Sequence, residues 1–481
     1  MEDKLRLKKG SSIECDIDSL AFGGQGVARA DDFVVFVRHA IPGQRVQARI
    51  TKKKQRYAQA RIVEIIRESP FAVEPRCRHF GHCGGCLLQH LDYERQIRAK
   101  GEQVDEIVRR LAGLQPHVLL TLPSPQIYSY RNKMEFSFSQ HRWLTPEEIH
   151  SGVRFAQAPY LGLHAGGFYD KVIDLTECHL IDPVAMRVLD TVRQIARDSA
   201  LPAYSSIDHQ GFWRFLVVRC TRTHELMVNV VTFDYIRPLA EQMRDRLMRD
   251  CPQITSLLNG VTRSRSSVAF CEEEHLLAGR PTITEQIGPY SFSLSSTSFL
   301  QTNSAQAKQL YDVVLDYAEL GGDEILYDLY CGAGTISIYL SSHVARVVGF
   351  ESVASAVLNA RENCQLNAIN NCEFVLGDLK DELRQTRALI DRFGRPDVVI
   401  IDPPRGGMHP KTVRDVLELQ PKRIVHVSCN PTTLARELKV LSESYDVTKV
   451  QPVDMFPHTA HIEAVAQLMR RDHGSASVAI P

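Results

Sequence analysis

Residues 324–335 read EILYDLYCGAGT, an apolar run of β type that breaks into a turn with glycine at 332 and 334. Glycines there let the backbone turn sharply and come close to a ligand. Outward from this stretch the pattern repeats. ARVVGFE (345–351), CEFVLGD (372–378), DVVIIDPP (397–404), RIVHVSC (423–429) and HIEAVAQL (461–468) are separated by helical stretches. Near-continuous apolar strands alternating with helices mean a parallel sheet covered on both faces. Residues 291–481 are therefore expected to form a doubly wound α/β domain, with the small polar tail after Arg471 frayed.

Ligands of such sheets sit beyond the carboxyl ends of the strands. Glu351 ends the second run, nineteen residues after Gly332, where a carboxylate accepts hydrogen bonds from ribose hydroxyls. Asp378, Asp402 and, more loosely, Asp454 end later runs and are expected to converge on the same crevice. The third glycine of G-x-G-x-x-G is missing, which speaks against a dinucleotide, and GxxxxGK[ST] is absent, which removes an ATPase reading. Paired as they are, DLYCGAGT and DPPRGG resemble the S-adenosylmethionine site of the doubly wound methyltransferases.

RIVHVSC delivers Cys429 to that crevice edge, directly before NPTT and the helix LARELKVL. A cysteine just before a helix N-terminus is favoured as thiolate by the dipole and the free amides. Cys429 is thus expected to be an activated nucleophile, whereas Cys220, Cys251, Cys331, Cys364 and Cys372 read as structural thiols. Glu463 stands in the otherwise apolar run HIEAVAQL. Such an acid is costly without a partner or a function, and a raised pKa there suits proton abstraction.

A chain of 481 residues is long enough for two or three domains, and 44% apolar with 24% charged residues is ordinary for a globular protein. Nothing approaches the ~18–20 apolar residues of a membrane span. MEDKLRLKKG has no apolar h-region, so the protein is expected in the cytoplasm with no membrane partner. Basic and acidic residues balance at 57 each, so a nucleic-acid partner requires a local basic patch. Residues 1–68 supply one. Short β-rich runs between turn-formers indicate a small OB-like β-barrel, and Arg38 to Val63 holds eight Lys or Arg and no acid.

Residues 69–290 read as an α+β central domain. It holds both tryptophans, Trp143 and Trp213, and an insertion or loop at 140–160. In YRNKMEFSF (130–138), Arg131 and Lys133 interleave with aromatics, which suits phosphate contact and base stacking and equally an amphipathic strand. This domain opens on CRHFGHCGGC, where Cys77, Cys83 and Cys86 fall within ten residues, a spacing that favours a metal site over three structural thiols. From spacing alone His79 or His82 competes for the fourth place, and both zinc and iron–sulfur suit such ligands.

FLQTN, DLYCGAGT, DPPRGG, SCNPTTLARELKVL and HTAHIEAV together resemble the RNA 5-methyluridine methyltransferase family over roughly residues 5–469, and the basic amino-terminal barrel resembles its TRAM domain. The resemblance implies that Cys429 is the nucleophile and Glu463 the general base. It implies S-adenosylmethionine contacts for Gln301, Tyr330, Glu351 and Asp402; Thr335 stands where some members carry Asn, and no contact is assigned to it. It makes Cys178 the fourth ligand of a 4Fe–4S cluster with Cys77, Cys83 and Cys86. A radical S-adenosylmethionine enzyme usually shows CxxxCxxC, which the spacing here does not match, and intact Cys429 and Glu463 argue against a non-catalytic RNA-binding protein. The implied partner is RNA bound by a monomer. Members with both barrel and cluster resemble the ribosomal branch, which sets 23S ribosomal RNA ahead of transfer RNA.

Overall fold

In the first block apolar residues fall at alternate positions, Ile13 and Cys15, Val35 and Val37, Val46, Ala48 and Ile50, Ala58 and Ala60, and each is buried. A period of two puts one face inward. The computed structural model, which describes residues 8–30, 33–152, 154–168 and 170–471, folds these runs into a six-stranded sheet whose inward side chains share one apolar core. Its long hairpin, Arg45–Lys53 and Tyr57–Arg67, carries Lys52, Lys53, Lys54 and Arg56 exposed at the tip. The tail expected to fray after Arg471 lies outside the described residues.

The central sheet has seven strands, antiparallel except where Leu226–Thr232 runs parallel to Ile254–Val261. The helices Val184–Asp198 and Arg237–Asp250 bury their apolar faces in the same core as the sheet. Residues 140–160 join strand Lys133–Ser139 to Tyr160–His164 and contain the short helix Pro146–Ser151, opened by a Thr145–Glu148 capping box.

The last sheet is built from β1 (Ile325–Leu329), β2 (Arg346–Glu351), β3 (Cys372–Leu376), β4 (Val398–Ile401), β5 (Arg423–Ser428), β6 (Tyr445–Val453) and β7 (Glu463–Arg470), in the order β3-β2-β1-β4-β5-β7-β6. Alternate residues serve two cores: Val347, Val398, Ile400 and Val425 face one, Val348, Val399, Ile401 and Ile424 the other. Burial on both faces is why these runs are apolar throughout. The doubly wound α/β expectation holds, with one correction. Strands β1 to β5 are parallel, but β7 runs antiparallel to β5 and β6, because residues 454–462 turn the chain straight back beside β6. A short strand, His117–Val118, adds an eighth member next to β6. Among the described residues no helix is long and apolar enough to cross a membrane.

Helix Tyr93–Ile107, capped by Asp92, joins this sheet to the rest. It buries Lys100, whose side chain is 2% exposed, against Asp454 at 0%, with Nζ 2.6 Å from Oδ1. Lys100 also donates to the Phe456 carbonyl at 3.1 Å, and the Tyr93 hydroxyl donates to Asp454 Oδ2 at 2.8 Å. Asp454 was expected in the ligand crevice. It is instead consumed by this ion pair, because the helix supplies the only kind of partner that makes a fully buried carboxylate affordable.

Replacing Lys100 by Met strands that carboxylate, at a cost of about 3–5 kcal/mol. Urea unfolding should show the corresponding drop in midpoint, and Lys100→Met with Asp454→Leu should recover most of it. A single variant as stable as the parent would show that the pair does not carry this dependence.

Candidate active site

Tyr330, directly after β1, holds φ +64° without being glycine, a strained conformation that persists only where its surroundings impose it. Cys331-Gly332-Ala333-Gly334 then turns into helix Thr335–Leu340. Gly334 has φ +75°, and a Cβ there would come within 2.9 Å of the Phe374 ring, so only glycine fits. Glu351, at the end of β2, accepts the Gly332 amide at 3.1 Å with one oxygen and the Ser352 and Val353 amides at 2.7 and 2.9 Å with the other. The acid therefore shapes the glycine turn as well as facing it. Thr335 Oγ1 accepts from the Tyr311 hydroxyl at 2.9 Å.

Gln301 lies almost buried in the loop before helix Ser304–Ala318. Asn132 Nδ2 donates to the Gln301 carbonyl at 2.9 Å and to Ser304 Oγ at 2.6 Å, and the Asn132 amide donates to the Thr302 carbonyl at 2.8 Å. YRNKMEFSF thus positions FLQTN. Of its two readings the structure rules out the stacking surface: Phe136 and Phe138 are buried because the strand lies inside its sheet and turns them into the core, and Tyr130, before the strand, is buried with its hydroxyl on the Pro457 carbonyl. Arg131 is the exception and lies over the Phe456 ring at 5.6 Å.

Three strand ends bring Asp402, Cys429 and Glu463 into mutual electrostatic reach. Cys429 was expected as a stabilised thiolate. The structure corrects this: burial first, then the charges of Glu463 and Asp402, push its thiol up to about 11, and only Arg405 among the neighbouring side chains acts the other way. The amides of helix Pro431–Leu441 do not rescue it, because Asn430 caps them, accepting from the Thr432 amide at 3.1 Å. Glu463 is 3% exposed, and burial together with Asp402 holds its carboxyl well above the usual range. Burial lifts Asp402 to about 6. Asp378 caps the short helix Leu379–Glu382 by accepting from the Lys380 amide.

Two groups escaped the sequence reading. Asp328, inside β1, is fully buried; it accepts from Ser337 Oγ at 2.5 Å, its other oxygen has no partner, and burial raises it to about 7. An acid within an apolar run was the available signal. The second is Glu437, buried in helix Pro431–Leu441. It pairs with His426 Nε2 at 2.8 Å and accepts the Met408 amide at 2.8 Å, so it ties β5 to the DPPRGG loop. Nothing local distinguished it from a solvated helix residue.

Cys77, Cys83, Cys86 and Cys178 line one cavity of about 460 Å³, whose wall also includes Phe299, Leu300 and Thr302 around Gln301. All four are free thiols, and burial raises them, Cys83 to about 11 and Cys86 to about 12. They surround the space without converging, and among the described residues no group of three or more His, Cys, Asp or Glu is drawn close enough to hold a metal ion. His79 Nε2 accepts the Thr176 amide at 3.1 Å, and neither His79 nor His82 lines the cavity.

The charges around Cys429 make its reactivity testable. Alkylation of Cys429 by iodoacetamide, read by mass spectrometry, should rise about tenfold per pH unit from pH 8 to 10 without levelling off. Glu463→Gln removes a charge that raises the thiol and should speed the reaction, whereas Arg405→Gln should slow it. A plateau below pH 8 would contradict the assigned environment.

The family model described as tRNA (Uracil-5-)-methyltransferase covers residues 219–471, and the TRAM domain model covers 6–63. The chain is 40% identical to an uncharacterized RNA methyltransferase of Chlorobaculum tepidum, over 98% of this chain and 99% of that protein. It is 42% identical to one from Porphyromonas gingivalis, over 95% and 99%. Among solved structures it resembles the Pyrococcus abyssi tRNA (uracil-54, C5)-methyltransferase in complex with S-adenosyl-L-homocysteine, at TM-score 0.71 and 28% identity, over 95% of this chain and 100% of that one. With a glycine turn, a β2 acid and a cysteine–carboxylate pair at one sheet edge, and a family model matching more than half its length, the chain belongs to the tRNA (uracil-5-)-methyltransferase family.

Proposed function

We propose that this S-adenosylmethionine-dependent RNA methyltransferase modifies carbon 5 of a uridine through a covalent Cys429–uracil adduct resolved by Glu463. The observation that carries the reading is the meeting of Cys429, Glu463 and Asp402 in one buried charge cluster, at the strand edge where Glu351 shapes the glycine turn. The residues present fit the cofactor: nothing lies within 4 Å of where a Cβ on Gly332 would stand, Glu351 accepts the Gly332 amide, and the Asp402 amide donates to the Leu329 carbonyl next to Tyr330. Gln301 is assigned to the cofactor by the family resemblance. Bound there, S-adenosylmethionine supplies the electrophilic methyl group that carbon 5 takes.

Carbon 5 of uracil is a poor nucleophile. Cys429 sulfur adds to carbon 6, the ring electrons move onto the carbonyl oxygen as an enolate, and carbon 5 becomes reactive. Because its thiol rests at about 11, Cys429 gives up its proton to solvent before its sulfur adds, and Arg405 favours the resulting anion. After methylation Glu463 removes the carbon-5 proton, the carbon–sulfur bond breaks and the thiolate leaves. Its buried setting makes the ionised Glu463 a stronger base than a solvated carboxylate.

The RNA we assign is ribosomal, on the combination of a basic barrel with a four-cysteine cavity. In the barrel, Glu14 and Asp16 pair with Arg45 and Arg67, which leaves the exposed lysines of the hairpin tip for phosphate. Transfer RNA is a second reading, favoured by the full-length likeness to the Pyrococcus abyssi enzyme. One experiment addresses both. Glu463→Gln should stall after methyl transfer and co-migrate with RNA on a denaturing gel; Cys429→Ala, and the double variant, should show no such band. Sequencing the trapped RNA identifies its class and uridine. An adduct in Cys429→Ala would move the nucleophile to another cysteine, Cys331 first.

Cys77, Cys83, Cys86 and Cys178 are assigned to a 4Fe–4S cluster. Four free thiols around one cavity form a donor set suited to it. Protein purified anaerobically should carry iron and sulfide with brown absorbance, both reduced in Cys83→Ser. Stoichiometric zinc without iron would overturn the assignment.

A further inference from the structure

Residues 140–171 fold around a cavity of about 670 Å³ that plays no part in the chemistry above. Trp143 and Phe168 form one wall, their rings 4.7 Å apart and inclined at 47°. Phe155 forms another, with the Arg142 guanidinium 4.3 Å over its face. Phe155 and Phe168 are 39% and 45% exposed, unlike the rings of the neighbouring core. Arg154 and Lys171 are also in the lining, and among the described residues no acid lines the cavity. Glu148, close by in the sequence, is held by Arg142 at 2.5 Å. The Trp143 Nε1 donor is buried and has no hydrogen-bond partner among the described residues.

A second observation gives the cavity a direction. It shares Phe168 with a cavity lined by Gly84, Gly85 and residues 163–168, which in turn shares Gly85 and Leu163 with the four-cysteine cavity. That last cavity is walled by residues 298–300 and 302, on either side of Gln301. The three are neighbours through these shared residues, with the four-cysteine cavity innermost. At the middle one, Arg38 of the amino-terminal sheet donates to the Gly166 carbonyl at 3.1 Å, so the basic domain is docked beside it.

Exposed aromatic faces, the cations Arg154 and Lys171, and an N–H donor without a partner among the described residues recognise one ligand chemistry: a flat ring with hydrogen-bond acceptors, attached to an anion. Stacking on such faces is open to any nucleobase whose partner has been unpaired. We propose that this cavity is a second RNA subsite, which takes an unstacked base and its phosphate from a single-stranded stretch of the substrate, apart from the reacting uridine. The proposal rests on the RNA reading above and deepens it: the substrate is read at two places, and a free uridine or a fully duplexed RNA is a poor substrate.

The chain has two tryptophans, and Trp213 is wholly buried, so Trp143 reports on the cavity. A short single-stranded RNA of mixed sequence, end-labelled for anisotropy, should quench tryptophan emission saturably in the parent and not in Trp143→Phe. Phe155→Ala, at an exposed position, should weaken binding about 5- to 100-fold. Arg154→Gln with Lys171→Gln should lower the log–log salt slope by about 0.7 for each phosphate that is no longer neutralised. Binding by anisotropy with unchanged Trp143 emission and unchanged affinity in Phe155→Ala overturns the subsite; methyl transfer to RNA, measured in the same preparations, then leaves the proposed function standing. Absence of methyl transfer and of the Glu463→Gln adduct on every RNA tested overturns both.

Discussion

A lysine ammonium out of water, held by one aspartate, is the interaction on which the architecture turns. Lys100 and Asp454 meet where the end of β6, helix Tyr93–Ile107 and the loop leading to Glu463 come together. A buried ion pair adds little net stability but is costly to separate, so it selects one arrangement over all others. Further contacts share the task. Gln96 Nε2 approaches His458 Nδ1 at 3.2 Å, the Tyr130 hydroxyl donates to the Pro457 carbonyl at 3.0 Å, and the Leu87 and Leu88 amides both donate to the His458 carbonyl. Gly24, in the amino-terminal sheet, packs so near Ala460 that a Cβ would stand 3.1 Å from it. All three parts of the chain therefore converge on residues 454–462, and the position of Glu463 is a property of the whole molecule.

The second constraint is electrostatic. Asp328, Asp402 and Glu463 lie in one buried region and all have raised pKa values, chiefly from burial. For a carboxyl raised in the folded state, the stabilisation is complete below its ordinary pKa and is lost as pH climbs through the raised one. For Asp402 that window runs from 3.8 to about 6, and for Asp328 from 3.8 to about 7. Near neutrality this buried region carries negative charge that its surroundings do not fully offset. A cationic ligand relieves that cost, which fits a sulfonium cofactor, and it also favours the Cys429 thiolate that the carboxylates suppress.

Much of this was legible in one dimension. Alternating burial in the first block, continuous apolar runs in the last, the glycine turn and the acid at the end of β2 are consequences of local periodicity and backbone sterics, which neighbouring residues in the chain decide. Glu463 stood out for the same reason, as a charge where the pattern requires none.

Tertiary structure decided what depends on partners remote in sequence. Asp454 looked like Asp402 along the chain, yet one meets Lys100, 354 residues away, and the other stays in the crevice. Cys429 sits before a helix as a thiolate would, but Asn430 takes the amides and two carboxylates raise the thiol. Phe136 and Phe138 turned inward because strands flank them on both sides, while Phe155 and Phe168, among residues with no recognisable period, are exposed. Sequence alone determined which segments form strands and helices and which residue types carry the chemistry, because these follow from local geometry and hydrophobic pattern. Protonation state, side-chain direction and the meeting of distant groups were decided only in three dimensions, because each depends on the solvent and charge that the folded chain places around a residue.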